Sequence, residues 1–456
     1  MRDSTRQATQ PNILNIMLTV LDLRGRELSA RELTKVLPRA AVDVEAALAA
    51  VTPVMEAVAK HGAGAINEYT ARFDGCTPPS LAVADKQRQT ALAGLDPQVK
   101  TALEIAIEHA RAAHRAQLPT ETSAEIVPGG TVTQRWIPVR RVGLYVPGGL
   151  AVYPSSVVMN VVAAQVAGVP DIAVASPPQA AFGGQVHPTI LAACELLGVT
   201  EVYAMGGAQA IAGFAYGFTT EEGVECVPVD VVTGPGNVYV AAAKRAIQGV
   251  CGIDAEAGPT EIAIIADADA NPAYLARDLI SQAEHDPYAA AVLITDSEAL
   301  AQAVQDKVTQ YVADTTHRER VETSLKGPQS GIILTADLPT SVAVANAYGA
   351  EHLEIQTADA LAVSRQIHNA GAIFVGPYSP VPLGDYLAGS NHVLPTGGTA
   401  RFASGLNVHA YLKSVQEIHY DAQALASLAA PLTALANAED LPAHADAVNA
   451  RGQEDA

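Results

Sequence analysis

From Arg141 onward, short apolar segments alternate with longer segments in which apolar residues recur at helical spacing. Each short segment is apolar at nearly every position and does not alternate apolar with polar residues. Continuous apolar runs of this length are typical of parallel strands that helices cover on both faces. In this first stretch, strands are predicted at 141–146, 171–176, 201–207 and 229–237, each followed by a helix.

The same alternation starts again near residue 260. Its first helix, 271–285, has Asn271 as a suitable N-cap and Pro272 in the first turn, where proline is tolerated. Because parallel strands need right-handed crossovers, the pattern predicts two Rossmann-like, doubly wound halves, residues 141–250 and 251–392. In the second half, strands are predicted at 260–267, 289–296, 330–337, 352–355 and 371–376.

The flanking regions carry a different pattern. Residues 1–140 are predicted to be mostly helical, because 43–62 and 97–118 place apolar residues at i, i+3 and i+4. We expect this region to pack on the second half. Residues 393–456 have a weaker strand signal and end in a polar, alanine-rich helix. The predicted fold class is therefore α/β, with two Rossmann-like doubly wound halves, a helical N-terminal region and a small C-terminal helical tail.

Composition excludes several classes of protein. Of the 456 residues, 49% are hydrophobic, which is enough for a large core and excludes disorder for most of the chain. The formal net charge of −20 repels phosphate, so neither a nucleic acid nor an anionic membrane is an expected partner. No apolar run reaches the roughly 18 residues of a membrane span. The apolar stretch 13–21 is interrupted by Asn15 and no cleavage site follows it, so no signal peptide is expected.

The cysteines indicate a reducing compartment. They lie far apart in the sequence and form no C-x-x-C pair. A disulfide framework is not expected in a chain of this length and apolar content, so we predict reduced thiols in a cytoplasmic protein. The cysteines are Cys76, Cys194, Cys226 and Cys251.

Three glycine-containing turns follow predicted strands of the first half, at the edge where ligands of open α/β sheets gather. They read YVPGG, MGGAQ and TGPGN, and none is a G-x-G-x-x-G motif. In the third turn two glycines precede Asn237, which opens a helix, so the turn suits an anionic group. Tight glycine turns are also common in α/β proteins without a phosphate, so this turn alone leaves both interpretations open.

Two pairs of neighbouring polar residues could carry chemistry. Gln282 and His285 share a face in the last turn of the predicted helix that Pro287 stops. An imidazole there could bind a metal, or it could interact with the helix dipole as an ordinary C-terminal histidine. Glu351 and His352 offer a carboxylate and an imidazole for general base catalysis, although a solvated loop pair would look the same.

Two further segments contain candidate ligands. Residues 376–398 are rich in Gly, Pro, Ser and Asn, but the apolar residues among them argue against a flexible linker and for a functional segment. Its polar candidates are Asp385, as a hard oxygen ligand, and His392. Near the C-terminus, Glu439 and His444 lie on a predicted amphipathic helix, whose solvated face would also explain them.

Taken together and in this order, these segments resemble the histidinol dehydrogenase family. The resemblance covers nearly the whole chain. Each matching segment alone is modestly specific, whereas eight collinear segments are very specific. They read LYVPGG, MGGAQAIA, GPGNVYVAAAKR, AGPTEIAIIAD, SQAEHDP, AEHLEI, GPYSPVPLGDYLAGSNHVLPTGG and AEDLPAHADAV.

The resemblance implies a set of site residues. The family's base pair corresponds to Glu351 and His352. Its zinc ligands correspond to Gln282, His285, Asp385 and His444. Its substrate contacts correspond to Thr260, Gln282, His285, His352, Asp385, Glu439 and His444. Its nicotinamide-dinucleotide contacts correspond to Tyr145, Gln209 and Asn237.

The resemblance also implies the reaction. L-Histidinol would be oxidised through L-histidinal to L-histidine with two NAD+, a zinc-dependent four-electron oxidation that completes histidine biosynthesis. It implies one Zn2+ per subunit. It further implies a homodimer in which the C-terminal part of one chain completes the other chain's active site.

Departures from the family pattern and alternative functions complete the sequence-based picture. Thr260 stands where many members have serine, residues 179–187 look like a lengthened surface loop, and the first ten residues have no counterpart.

Two other functions remain open: a paralogous zinc- and NAD-dependent dehydrogenase of another small polar alcohol, and a metal-dependent binding protein with two α/β lobes. Within the enzyme hypothesis, a cysteine thiohemiacetal is an alternative route from aldehyde to acid. However, no cysteine neighbours Glu351 and His352 in the sequence.

Overall fold

The structure is a computed structural model that describes residues 17–40, 44–148, 151–256 and 258–452. The first ten residues, for which the family pattern has no counterpart, lie outside the described residues. The strands are β1 Thr19–Asp22, β2 Thr122–Val127, β3 Gly130–Pro138, β4 Arg141–Tyr145, β5 Asp171–Ser176, β6 Glu201–Ala204, β7 Phe218–Thr219, β8 Glu225–Cys226, β9 Val231–Thr233, β10 Gly252–Ile253, β11 Glu261–Ala266, β12 Ala290–Thr295, β13 Gly331–Leu334, β14 His352–Gln356, β15 Ala372–Val375 and β16 Leu412–Tyr420.

Helices connect most of these strands. The α-helices are α1 Ala30–Val36, α2 Val44–His61, α3 Ala63–Phe73, α4 Asp85–Ala93, α5 Pro97–Ala116, α6 Pro154–Ala167, α7 Pro188–Leu196, α8 Gly207–Tyr216, α9 Val238–Ala246, α10 Pro272–Ala283, α11 Glu298–Val312, α12 Arg318–Lys326, α13 Leu338–Tyr348, α14 Ala360–Ser364, α15 Val381–Tyr386, α16 Ala422–Ala438 and α17 Pro442–Asn449. Short 3-10 helices occur at Ala180–Phe182, Thr399–Arg401, Val408–Tyr411 and Ala450–Gly452. Within the described part of the chain, no helix is both long and apolar enough to cross a bilayer.

Two parallel sheets form the centres of the two halves. The first sheet has the strand order β10-β9-β4-β5-β6, and the second has the order β1-β13-β12-β11-β14-β15. When β1 is set aside, both sheets follow the same chain order, 3-2-1-4-5, which is the order of a Rossmann sheet. The prediction of two Rossmann-like halves is therefore confirmed.

Burial explains why the strands read as continuous apolar runs. Every residue of β4, β11, β12 and β14 is buried, because helices cover both faces of each sheet. The second sheet has ionisable exceptions to this apolar pattern. Glu261 starts β11, while His352 and Glu354 lie on β14, and all three are buried. Buried ionisable groups of this kind are seldom placed in a core without a partner or a function.

The N-terminal region is divided between the two halves. Among its described helices and strands, β1 pairs with β13 and α1 packs on α13, so these two belong to the second half. The helices α2 and α3 pack on α8 and α9, and α4 and α5 pack on α7 and α6. The apolar stripe of α2, for example Val51, Val54 and Val58, is buried in the same core as Phe214 of the first half. The expectation that this region packs on the second half is therefore wrong for α2 to α5.

The C-terminal tail contains a long strand that the sequence pattern did not reveal. β16 pairs antiparallel with β3 along nine residues, and β3 also pairs with β2. We call β2, β3, β16, α16 and α17 the arm. Seven of the nine residues of β16 are exposed, so this strand lacks the apolar run that identified the others. The predicted C-terminal helices form as α16 and α17, and β16 precedes them.

Candidate active site

Polar side chains from several elements converge on one edge of the second sheet. Thr260 precedes β11, and Glu351 precedes β14, whose first residue is His352. Since β11 and β14 are adjacent and parallel, with Ile262 opposite His352, their starts meet at the same edge. This is the amino edge of the sheet, whereas the glycine turns of the first half follow the carboxyl ends of its strands. We call the polar cluster the set Thr260, Gln282, His285, Glu351, His352, Asp385 and His392.

A chain of hydrogen bonds orients Glu351. Gln282 donates from Nε2 to the Thr260 hydroxyl at 2.6 Å, and that hydroxyl donates to Oε2 of Glu351 at 2.5 Å. The backbone N–H of Glu261 donates to the same carboxylate oxygen at 2.9 Å. Burial raises the pKa of Glu351 to about 8, although these two hydrogen bonds oppose the shift. The group can therefore gain or lose a proton near neutral pH.

His352 is a buried imidazole with both ring nitrogens available. Nδ1 lies 3.5 Å from Oε2 of Glu351, and Nε2 lies 3.8 Å from Oδ1 of Asp385. Neither nitrogen has a hydrogen-bond partner in the described chain. Burial lowers the pKa of His352, and the charge of Asp385 opposes the shift. A neutral imidazole held between two carboxyl groups is suited to accept a proton.

The predicted helix 271–285 forms as α10, with Gln282 in its last turn and His285 two residues beyond its end. Asn271 accepts a hydrogen bond from the N–H of Ala273 at 2.9 Å, and Pro272 occupies the first turn. Gln282 is buried, and its Oε1 has no hydrogen-bond partner in the described chain. Burial lowers the pKa of His285, while the negative charge of Asp385 opposes the shift. His285 thus faces the cluster.

Residues 376–398 are an ordered part of the site rather than a linker. They include α15, which carries Asp385. Nδ1 of His392 lies 3.0 Å from the backbone oxygen of Asp385, and its Nε2 lies 3.0 Å from Oγ of Ser156 in α6. The polar cluster therefore lies where the two halves meet.

One chain by itself does not assemble the whole ligand set that the resemblance implies. Glu439 and His444 are exposed on the arm. Among residues 17–40, 44–148, 151–256 and 258–452, no three His, Cys, Asp or Glu side chains come together as a metal-binding group. Gln282, His285 and Asp385 supply one amide, one imidazole and one carboxylate. Because glutamine is not one of those four residue types, these three residues do not make such a group.

The three residues expected to contact the dinucleotide lie at the carboxyl edge of the first sheet. Tyr145 ends β4, and its hydroxyl accepts a hydrogen bond from the N–H of Gly207 at 3.2 Å. Gln209 lies in the first turn of α8, and Asn237 is the N-cap of α9. β4 and β9 are adjacent at the point where the strand order reverses, which is where open α/β sheets bind ligands.

A buried ion pair holds the GPGN turn, and sequence reasoning missed it. Gly234 has φ +126°, and a Cβ built on it would lie 2.0 Å from the backbone oxygen of Tyr145, so only glycine fits. The Gly234 N–H donates to Oδ2 of Asp254 at 2.8 Å, and Nζ of Lys244 donates to the Gly234 oxygen at 3.0 Å. Lys244 and Asp254 also pair with each other, with side chains 2% and 3% exposed. The available signal was a lysine inside the apolar helix VYVAAAKRA.

Two Rossmann-like halves, a buried carboxylate–imidazole pair and a braced glycine turn at the carboxyl edge of the first sheet together fit an α/β oxidoreductase. A family model described as histidinol dehydrogenase matches residues 37–452. The chain belongs to the histidinol dehydrogenase family, which confirms the resemblance drawn from the eight segments.

Individual relatives match over nearly their whole length. The chain is 58% identical over 436 residues to a histidinol dehydrogenase of Nocardia farcinica, covering 96% of this chain and 98% of the relative. It is 59% identical over 435 residues to one of Thermobifida fusca, covering 95% and 98%. The crystal structure of histidinol dehydrogenase from Elizabethkingia anophelis superposes with a TM-score of 0.87 at 29% identity, covering 96% of this chain and 98% of that chain.

Proposed function

We propose that this enzyme oxidises L-histidinol through L-histidinal to L-histidine with two NAD+, as the last step of histidine biosynthesis. Family membership supports the substrate. The observation that carries the chemistry is the buried Glu351–His352 pair, in which one group has a raised and the other a lowered pKa. A neutral imidazole beside a carboxyl group with a raised pKa provides two adjacent proton acceptors, which match a reaction with two proton-coupled hydride transfers.

The two residues have different roles: His352 accepts a proton in each oxidation, and Glu351 acts in the hydration of the aldehyde between them. In the first, His352 accepts the alcohol proton while a hydride passes from the carbinol carbon to NAD+, which gives the aldehyde and NADH. Glu351 then accepts a proton from the water that adds to the aldehyde, while His352 gives its proton to the aldehyde oxygen, which leaves the neutral hydrate and a free imidazole. In the second oxidation, His352 accepts a proton from the hydrate as its hydride passes to another NAD+. Thr260 positions Glu351 through its 2.5 Å hydrogen bond and also holds Gln282.

The donors at the polar cluster fit a catalytic zinc. Within the described chain the buried Oε1 of Gln282 has no hydrogen-bond partner, which a metal would satisfy, and His285 is a half-buried imidazole. We propose that Gln282, His285 and Asp385 hold the ion together with the partner subunit's His444. When bound, zinc supplies a Lewis acid that orients the amine and imidazole of the substrate.

We infer that the active sites are shared between two copies of the chain. The arm exposes large apolar side chains, including Ile126, Ile418 and Leu435, which are 57%, 69% and 67% exposed. A second copy would cover such a surface. The partner subunit's Glu439 would then pair with a cationic group of the substrate.

Covalent catalysis by a cysteine is disfavoured. Burial raises the pKa of Cys194 to about 12 and that of Cys226 to about 11, so neither is a thiolate at neutral pH. Cys76 and Cys251 also have pKa values raised by burial. All four cysteines are free, which supports a reducing, cytoplasmic location.

The test is to count NADH formed per L-histidinol consumed, before and after chelation. Two NADH per histidinol, lost with the chelator and restored by zinc, would support the proposal. One NADH would mean that the chemistry stops at the aldehyde and would contradict the role of Glu351. No NADH from a zinc-loaded dimer would favour a paralogue acting on another small polar alcohol. If NAD+ also failed to shift the melting temperature, a non-redox binding protein would be favoured.

A further inference from the structure

Asp74 belongs to the N-terminal region but lies over the carboxyl edge of the first sheet. It is the C-cap of α3, and its Oδ2 lies 3.5 Å from Nε2 of Gln209. A Cβ built on Gly206, which follows β6, would lie 3.4 Å from Asp74 Oδ1. The same Cβ would lie 2.6 Å from Cβ of Pro177, which follows β5. The carboxylate of Asp74 is therefore located where β5 and β6 end.

This location has a specific meaning in the topology of the first sheet. In the order 3-2-1-4-5, β5 is the second strand. Rossmann folds use an acidic residue beyond the second strand to bind the 2′-hydroxyl of the adenosine ribose. In this chain β5 is followed by Pro177 and Pro178, so the strand itself supplies no acid there. Asp74 brings a carboxylate to that place from a different part of the chain.

The electrostatics of Asp74 fit a hydroxyl ligand. Burial raises the pKa of its carboxyl to about 6, so the group is an anion at neutral pH. Within the described part of the chain, no positive side chain opposes that shift. Beside it, Oε1 of Gln209 is buried without a hydrogen-bond partner in the described chain. The Asp74 carboxylate, which accepts only a long hydrogen bond from Nε2 of Gln209, and the unpartnered Oε1 therefore offer acceptors at the same place, and ribose hydroxyls are donors.

We propose that Asp74 accepts hydrogen bonds from the adenosine ribose of NAD+ and that it excludes NADP+. This inference rests on the proposed use of a nicotinamide dinucleotide. A 2′-phosphate on the ribose would bring its charge against the carboxylate, and like charges in contact cost several kcal/mol. Asp74 would thus determine which dinucleotide the enzyme uses, although it lies outside both Rossmann-like halves.

The test compares the zinc-loaded enzyme with Asp74→Asn and Asp74→Ser by calorimetric titration with NAD+ and with NADP+. The parent is expected to bind NADP+ at least about 100-fold more weakly than NAD+. In both variants NAD+ binding should weaken while NADP+ binding improves, so that the ratio falls below about 10. The control is Glu68→Gln, which removes an equal charge from an exposed position of α3 and should leave the ratio unchanged.

The opposite directions for the two ligands distinguish recognition from damage, because a misfolded variant would lose both. The inference is overturned if the parent binds both dinucleotides equally, or if the Asp74 variants change both affinities in parallel. It is also overturned if Glu68→Gln shifts the ratio as much. An enzyme that binds NAD+ with the expected preference but does not oxidise L-histidinol would refute the proposed function and leave this inference standing.

Discussion

Replacing Lys244 by methionine removes the ammonium group that pairs with Asp254 beneath the GPGN turn. Both side chains are almost fully buried, at 2% and 3% exposure. Breaking such a pair leaves an unpaired carboxylate in the core, which costs about 3–5 kcal/mol. We expect urea unfolding, followed by circular dichroism, to show a loss of that size. We also expect the KM for NAD+ to rise, because Gly234 loses the donor to its carbonyl oxygen.

A second substitution separates the buried charge from the lost hydrogen bond. In Lys244→Met/Asp254→Asn both charges are gone, and an amide oxygen can still accept the N–H of Gly234. The remaining loss is the bond to the Gly234 oxygen, so the double variant should be destabilised by only about 1–3 kcal/mol. Its KM for NAD+ should stay raised, since the turn is held from one side only.

The adjacent exposed pair serves as the control. Arg245 pairs with Glu256 on the surface, with side chains 44% and 30% exposed. Arg245→Met should therefore cost less than about 1 kcal/mol. The reasoning is refuted if Lys244→Met costs no more than this control, or if the double variant is as unstable as the single one.

Three further predictions concern Glu261, the sharing of active sites between subunits, and Glu351. Burial raises the pKa of Glu261 from 4.5 to about 7, so the folded state binds the extra proton in that window and stability falls as pH rises through it. Glu261→Gln should lack this fall and gain about 3 kcal/mol on the wild type between pH 4.5 and pH 7, measured by urea unfolding. Mixing inactive His444→Ala and His352→Ala subunits should restore about one quarter of wild-type activity if sites are shared, and none if each chain is self-sufficient. Glu351→Gln should form one NADH per L-histidinol and release the aldehyde, and two NADH would exclude its role in hydration.

The local pattern of apolar residues was sufficient to predict a strand or helix wherever most residues of that element are buried. The apolar runs located the strands of both sheets except β1 and β10, and the N-cap and proline signals located α10 within two residues of its observed end. The exposed strand β16 gave no such signal, because most of its residues face outward. The packing partner of α2 could not be predicted either, because an apolar stripe indicates that one face of a helix is buried but not which element covers it.

The site shows the same division. Residue type and spacing identified Gln282 with His285, and Glu351 with His352, as candidates, but each pair had an ordinary alternative. What distinguishes the alternatives is the pairing of β11 with β14, which brings Thr260 within 2.5 Å of Glu351 from 91 positions away. A contact between residues so distant in sequence is set by the register of a sheet, and one sequence alone does not reveal it.

The pairing of β1 with β13 has a consequence for synthesis of the chain. Thr19 lies opposite Gly331, about 310 residues later, and the intervening chain first builds the whole of the other half. At about 5–20 residues per second, a ribosome needs roughly 15–60 s to make that stretch. β1 is therefore synthesised early and has no strand to pair with while the strands of the first sheet are being made. β1 can pair with β13 only after β13 has been made, when translation is nearly three-quarters complete. The β1 edge of the second sheet therefore forms late, whichever half folds faster.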